Sequence, residues 1–263
     1  MIEFKKILFP VDLSAQSRAV AGSVQAMARH FGSKITVLHV AEKDENHGNT
    51  LDEFAAQAFP GASVNREVVE GEPAEQIVDY ARAHGTDLIM IPTHGYGPFR
   101  ELLLGSVTAK VLEHATCPVW TGVHAQEMMA HSPEHWKRML CAADTEDKDV
   151  RVIQWASAFA KEQNMEVRLV HAVAGSDGMW TEQNDPSMYE FLFDAARERL
   201  AELQAKAGTN LEVRLTGGTV GNAVRRIAVE ERVDLIVMGR GGSSIIREAP
   251  SPTISIANET APA

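Results

Sequence analysis

The sequence predicts an α/β fold in two tandem domains, each a five-stranded parallel sheet covered by helices. Three observations predict it: β-branched runs alternate with amphipathic helical runs, the chain repeats itself, and 263 residues suffice for two cores. "ILFPVD" at 7–12 is answered by "MLCAAD" at 139–144, and "KITVLHV" at 34–40 by "EVRLVHA" at 166–172. Asp12 thus matches Asp144 and His39 matches His171, each 132 residues apart. "HGTDLIMIPTHG" at 84–95 matches "ERVDLIVMGRGG" at 231–242. There the offset has grown from 132 to 147, a gain of 15 residues within "MYEFLFDAARERLAELQAKAG". The copies close on "TCPVW" at 116–120 and "PSPTI" at 250–254. The offset has fallen from 147 to 134, so the second copy has lost the 13 residues matching 96–108.

In the first copy the strands are read at 7–11, 35–40, 64–69, 87–91 and 118–123. Between the first two, Val20, Val24, Met27 and Phe31 recur at helical spacing and should form a stripe packed on the sheet. Ser14 or Asp12 can cap that helix. In "GEPAEQIVDYARAHG", Pro73 stands at a helix start and Gly85 just past its end. The last strands, "PVWTGV" and "TISIA", alternate apolar with small or polar residues, as half-buried edges do, and are the expected contact between the two copies. The polar segment "AQEMMAHSPEHW" reads as a linker.

Composition narrows the function. Lysine and arginine number 25 against 36 acidic residues, a formal charge of −11, and so acidic a surface repels phosphate backbones and anionic lipid. Nucleic acid and membrane are therefore not expected partners. No apolar run approaches the roughly 20 residues of a membrane span. "MIEFKKILFPVD" enters a strand pattern without the apolar core and small-residue cleavage site of a secretory leader, so a cytoplasmic location is expected. Cys117 and Cys141, each in an apolar segment, read as reduced structural thiols.

The chemistry concentrates in "PTHGYGPFRELLLGSV", 92–107, which follows the fourth strand. In an open parallel sheet, ligands sit beyond the carboxyl ends of the strands where the strand order reverses. Gly95 and Gly97 permit close approach of another group, and Gly105-Ser106 precedes "VTAKVLEHA", whose first-turn N–H groups lack intrahelical partners. Free amides, a helix dipole and a hydroxyl together make an anion site suited to phosphate. Asp12, across the same crevice, can accept hydrogen bonds from a ribose or an adenine amino group. The pattern reads as a nucleotide cleft.

At these residues the chain resembles the universal stress protein family, over nearly its whole length. The family signature is G-x-x-G, nine residues, then G-S or G-T. Gly95, the nine residues 96–104 and Gly105-Ser106 match its second part, and "VTAKVLEHATCPVW" continues as the family does. The first strand ends in Asp12, the second in "LHV", and "GEPAEQI" opens the helix before the fourth. The resemblance implies Rossmann-like domains of the adenine nucleotide alpha hydrolase type at 1–125 and 138–263, joined by a linker at 126–137, with the second lacking the signature loop. It implies ATP as ligand, with or without magnesium, in a stress-response module. It also implies pairing of the two domains within the chain, by contacts that other members use to form homodimers. Carried over residue by residue, the ligand site comprises Val11, Asp12, Val40, Pro92, His94, Gly95, Gly105, Ser106, Val107 and Thr108.

Pro92 replaces the first signature glycine and removes one backbone donor. One charge-assisted hydrogen bond contributes about 1.5–3 kcal/mol, roughly 10- to 150-fold in affinity, so nucleotide binding should be weakened rather than lost. The second copy keeps Gly239 and Gly242 but not the Gly-Ser pair, and a structural role is expected for it. "HSPEH" at 131–135 has zinc-protease spacing, but Pro133 interrupts it and no third ligand is evident. No histidine is spaced to activate Ser106 as a nucleophile, so the chain reads as a binding module and not an enzyme, with room only for weak ATP hydrolysis. The alternative is an interaction protein that binds no nucleotide and works through its oligomeric surface; Pro92 and the missing second loop favour it.

Overall fold

Alternate residues of the first strand divide the core between two faces of the sheet. In β1, Lys6–Val11, the side chains of Ile7, Phe9 and Val11 join one apolar cluster and Leu8 joins the other. All but Lys6 are buried, the mark of a parallel strand covered on both faces. The structure, a computed structural model, describes residues 1–41, 48–93, 104–122, 132–173 and 186–257.

The first repeat continues with α1 (Ala15–Phe31), β2 (Lys34–Ala41), α2 (Gly48–Ala58), β3 (Asn65–Glu70), α3 (Pro73–His84), β4 (Leu88–Pro92), α4 (Ser106–His114) and β5 (Val119–Gly122). The second runs β6 (Arg138–Ala142), α5 (Asp149–Glu162), β7 (Glu166–Val173), α6 (Pro186–Ala207), β8 (Glu212–Gly217), α7 (Val220–Glu230), β9 (Leu235–Gly239), α8 (Ser243–Glu248) and β10 (Thr253–Ile256). Ser14 caps α1 by accepting from the Ser17 amide, and Pro73 and Gly85 bound α3 as the sequence predicts, with Gly85 left-handed at φ 60°. Most of the 15-residue gain lies in α6, which at 22 residues is twice the length of the 11-residue α2.

Among the described residues the strands form one sheet in the order β3-β2-β1-β4-β5-β10-β9-β6-β7-β8. Each repeat is parallel within itself, and β5 meets β10 antiparallel, with Trp120 opposite Ile254 and the Thr121 and Thr253 hydroxyls 2.6 Å apart. The last strands are therefore not half-buried edges: both are buried throughout and stand at the centre of the sheet, while β3 forms an exposed edge. Alternation misleads here because Thr121, Thr253 and Ser255 satisfy their polar atoms inside the junction or pack beside it.

The junction continues above the sheet. Phe4 and Phe31 of the first repeat pack on Phe159 of the second at ring separations of 6.1 and 6.3 Å, and Phe159 stacks on Trp155 at 4.8 Å. Part of the expected linker joins this cluster: Pro133–His135 forms a 3-10 turn against α1, and Trp136 is buried 5.8 Å from Phe159. His131, the other end of the "HSPEH" pattern, lies outside the described residues.

Candidate functional site

In the first repeat the strand order reverses between β1 and β4. Their ladder is short, pairing Ile7 with Leu88 and Leu8 with Ile89. Beyond it, neither Pro10 nor Pro92 can donate. Val11 ends β1, and its carbonyl is 2.9 Å from His39 Nδ1. His171 repeats this contact with Ala143 at 3.0 Å, so both histidines act as ties between neighbouring strands.

Asp12 follows Val11 and is exposed. Its Oδ1 accepts from the Ser14 amide at 3.1 Å and the Ser17 hydroxyl at 2.6 Å. Partial burial pushes the carboxyl up, but these hydrogen bonds outweigh it and hold Asp12 below the usual aspartate range. Leu13 adopts a left-handed φ of 61°, an uncommon conformation for a branched side chain, and makes the tight turn from Asp12 into the cap. Val40 lies near the end of β2, half-buried.

On the other side, both ends of the signature loop are pinned. The Gly105 amide donates to the Thr93 carbonyl at 2.9 Å, and the Thr108 hydroxyl donates to the Pro92 carbonyl at 2.9 Å. In a strand, successive residues direct their N–H and C=O to opposite neighbours. Ile89 donates to Pro118 on the β5 side at 3.0 Å, so the backbone of Pro92, three residues on, faces β1. The amide that proline lacks would point into the gap between β1 and β4. Pro92 is thus the last residue of β4 and not the first of the loop, one residue beyond the strand read from sequence.

Helix α4 starts with Gly105 as N-cap and no capping side chain, followed by exposed Ser106, half-buried Val107 and buried Thr108. Its first-turn amides are directed out of its N-terminus, where anions are favoured. Gly105 has φ −60°, so its conformation does not require glycine, and its own amide is committed to Thr93. Thr108 likewise spends its hydroxyl on Pro92. Both residues hold the helix in place, and the Ser106 hydroxyl is the side-chain donor at its exposed start. His94 and Gly95 lie outside the described residues.

The second repeat reverses between β6 and β9 and carries a cleft of about 220 Å³ there, walled by Asp144, Lys148, Asp149, His171 and the Gly239–Gly242 turn. The 13-residue deletion leaves a helix of six residues after β9, α8, without closing the space beneath it; contrary to the sequence expectation, that helix starts on a Gly-Ser pair of its own, Gly242 as N-cap and Ser243. Arg240, half-buried in this wall, donates across the repeat boundary to the carbonyls of Ala115 at 3.0 Å and Cys117 at 2.8 Å. Burial outweighs its neighbours and lowers the guanidinium to about 10.

The model of the universal stress protein family matches residues 3–53, 41–121 and 135–259, most of both repeats. The chain belongs to the universal stress protein family. A universal stress protein of Thermus aquaticus is 33% identical over 132 residues, 44% of this chain and 96% of that protein. The universal stress protein MJ0531 of Methanocaldococcus jannaschii is 29% identical over 136 residues, 44% of this chain and 80% of its own. Each relative thus corresponds to about half of the present chain. The crystal structure of a universal stress protein from Archaeoglobus fulgidus covers 97% of both chains with a TM-score of 0.65 at 22% identity, which extends the shared fold to the tandem arrangement.

Within this universal stress protein, sequence reading missed Thr93, Ser17, Asp149 and Arg240. Thr93 and Ser17 act through hydrogen bonds that no spacing encodes. Asp149 was findable, because it matches Ser17 at the repeat offset of 132. Both cysteines are free: burial raises Cys117 to about 11, and Cys141 is raised further by full burial, which suits structural thiols. Among the described residues no helix is long and apolar enough to cross a membrane.

Proposed function

We propose that this universal stress protein is a cytoplasmic stress-response module that binds one adenine nucleotide, ATP, in its first repeat. The observation that carries the reading is the uncapped start of α4, pinned by Thr93 and Pro92 beside the gap between β1 and β4, with Asp12 at the end of β1. The first-turn amides and the Ser106 hydroxyl would receive phosphate oxygens. Asp12, held ionised by Ser14 and Ser17, would accept from the adenosine end, and the backbone of Val11 and Val40 would flank it. His94 and Gly95 belong to the proposed loop, and magnesium would act on the phosphates. No general base is assigned near Ser106, so the role is binding and not turnover.

A second reading, an interaction protein without nucleotide, is favoured by the amide missing at Pro92. Chromatography of the supernatant after denaturing protein purified without added nucleotide separates the two. Release of adenine nucleotide supports the first. No release, together with no retention of labelled ATP in equilibrium dialysis, supports the second.

A further inference from the structure

The cleft of the second repeat differs from the first in the chemistry of one pair. In the first repeat the Ser17 hydroxyl donates to Asp12; at the same offset of 132, the second repeat has Asp149 beside Asp144. A donor has been replaced by a second acceptor. Asp149 is only 3% exposed, lines the cleft, and leaves its Oδ2 without a hydrogen-bond partner among the described residues. Burial and the nearby Asp144 charge both raise its carboxyl above the usual aspartate range.

The Lys148 charge and backbone hydrogen bonds from Glu146 and Asp144 favour the ionised carboxyl but are outweighed, and neither wall cation hydrogen-bonds Oδ2. Lys148 Nζ lies 2.7 Å from Glu146, and the Arg240 guanidinium reaches the Ala115 and Cys117 carbonyls. The N-terminus of α5 supplies the equivalent of about half a positive charge, too little to balance two carboxylates. A buried acceptor of this kind calls for a donor from outside the protein. Val224, Met238 and Ile245 give the same cleft an apolar lining. Among the described residues no three potential ligands gather to hold a metal, and although α8 starts on Gly242 and Ser243, it is a helix of only six residues facing two carboxylates that repel phosphate.

We propose that the second cleft binds a small organic ammonium ion, its N–H groups donating to Asp149 Oδ2 and Asp144 and its carbon body resting on Val224, Met238 and Ile245. The site is separate from the proposed nucleotide site and stands whether or not ATP binds the first repeat.

The test is calorimetric titration of the full chain with benzylammonium, benzyl alcohol and benzoate at neutral pH. Benzylammonium should bind at one site per chain, with the alcohol and benzoate at least about tenfold weaker, the scale of one charge-assisted hydrogen bond. Asp149→Ser, which copies the first repeat, should weaken benzylammonium by at least about tenfold, with Asp149→Asn as an isosteric second variant and thermal melting as the check on folding. No benzylammonium binding at millimolar concentration, equal binding of the alcohol, or unchanged affinity in folded variants would overturn the proposal.

Discussion

The Gly105 amide and the Thr93 carbonyl meet at 2.9 Å, closing the signature loop at its neck. Together with the bond from Thr108 to Pro92, also 2.9 Å, this sets the start of α4 against the end of β4. The position of the α4 amides therefore depends on backbone groups and one buried hydroxyl. Thr108→Val keeps the shape but leaves the Pro92 carbonyl without that donor, and should cost about 1–3 kcal/mol of stability. ATP affinity should fall with it while the fold survives. Urea denaturation and ATP titration of the same variant check both; an unchanged urea midpoint would separate Thr108 from any positioning role.

Asp12 and Asp149 should respond to pH with opposite sign. Asp12 is lowered from 3.8 in the folded state, so its ionised form favours folding. Relative to Asp12→Asn, the wild type should gain stability above about pH 4 and lose that gain as pH falls through the lowered value. Asp149 is raised from 3.8, so its ionised form opposes folding. Asp149→Asn should therefore be more stable than wild type at neutral pH, by about 1–3 kcal/mol, with the gap closing as pH falls through the raised value and gone below about 4. Melting temperatures of the three proteins across pH would show the two trends; parallel trends would contradict the assignment.

The two repeats should unfold together, because the β5–β10 junction and the aromatic cluster cross between them. Phe159→Ala should cost about 3–5 kcal/mol, the usual loss for a buried aromatic. The cost should appear in one shifted transition followed alike by tryptophan fluorescence and circular dichroism. Two separated transitions would show that the repeats are energetically independent.

The repeat was legible in the sequence because paired strands such as "ILFPVD" and "MLCAAD" keep apolar pattern and spacing together. The pairing of the last strands was legible too, but their burial was not. Nothing in "TISIA" states that Thr253 meets Thr121 across a sheet junction. The loop spacing to Gly105-Ser106 marked the candidate phosphate site, whereas the commitments of Gly105 and Thr108 are long-range hydrogen bonds. The second cleft is not legible in the sequence, because a deleted segment does not by itself remove a site. Space at a switch point is set by the strands around it, and those remain.

The central claim is one nucleotide site per chain, at the end of β4 in the first repeat, and calorimetric titration of ATP into wild type and Pro92→Gly tests it most directly. Wild type should bind near one ATP per chain, and Pro92→Gly should bind it up to roughly 10- to 150-fold more tightly through the restored amide, less the ordering cost of a freer glycine. Adenosine, which carries no phosphate, should gain less. Two equivalent sites per chain, equal gains for ATP and adenosine, or no ATP binding by either protein would contradict it.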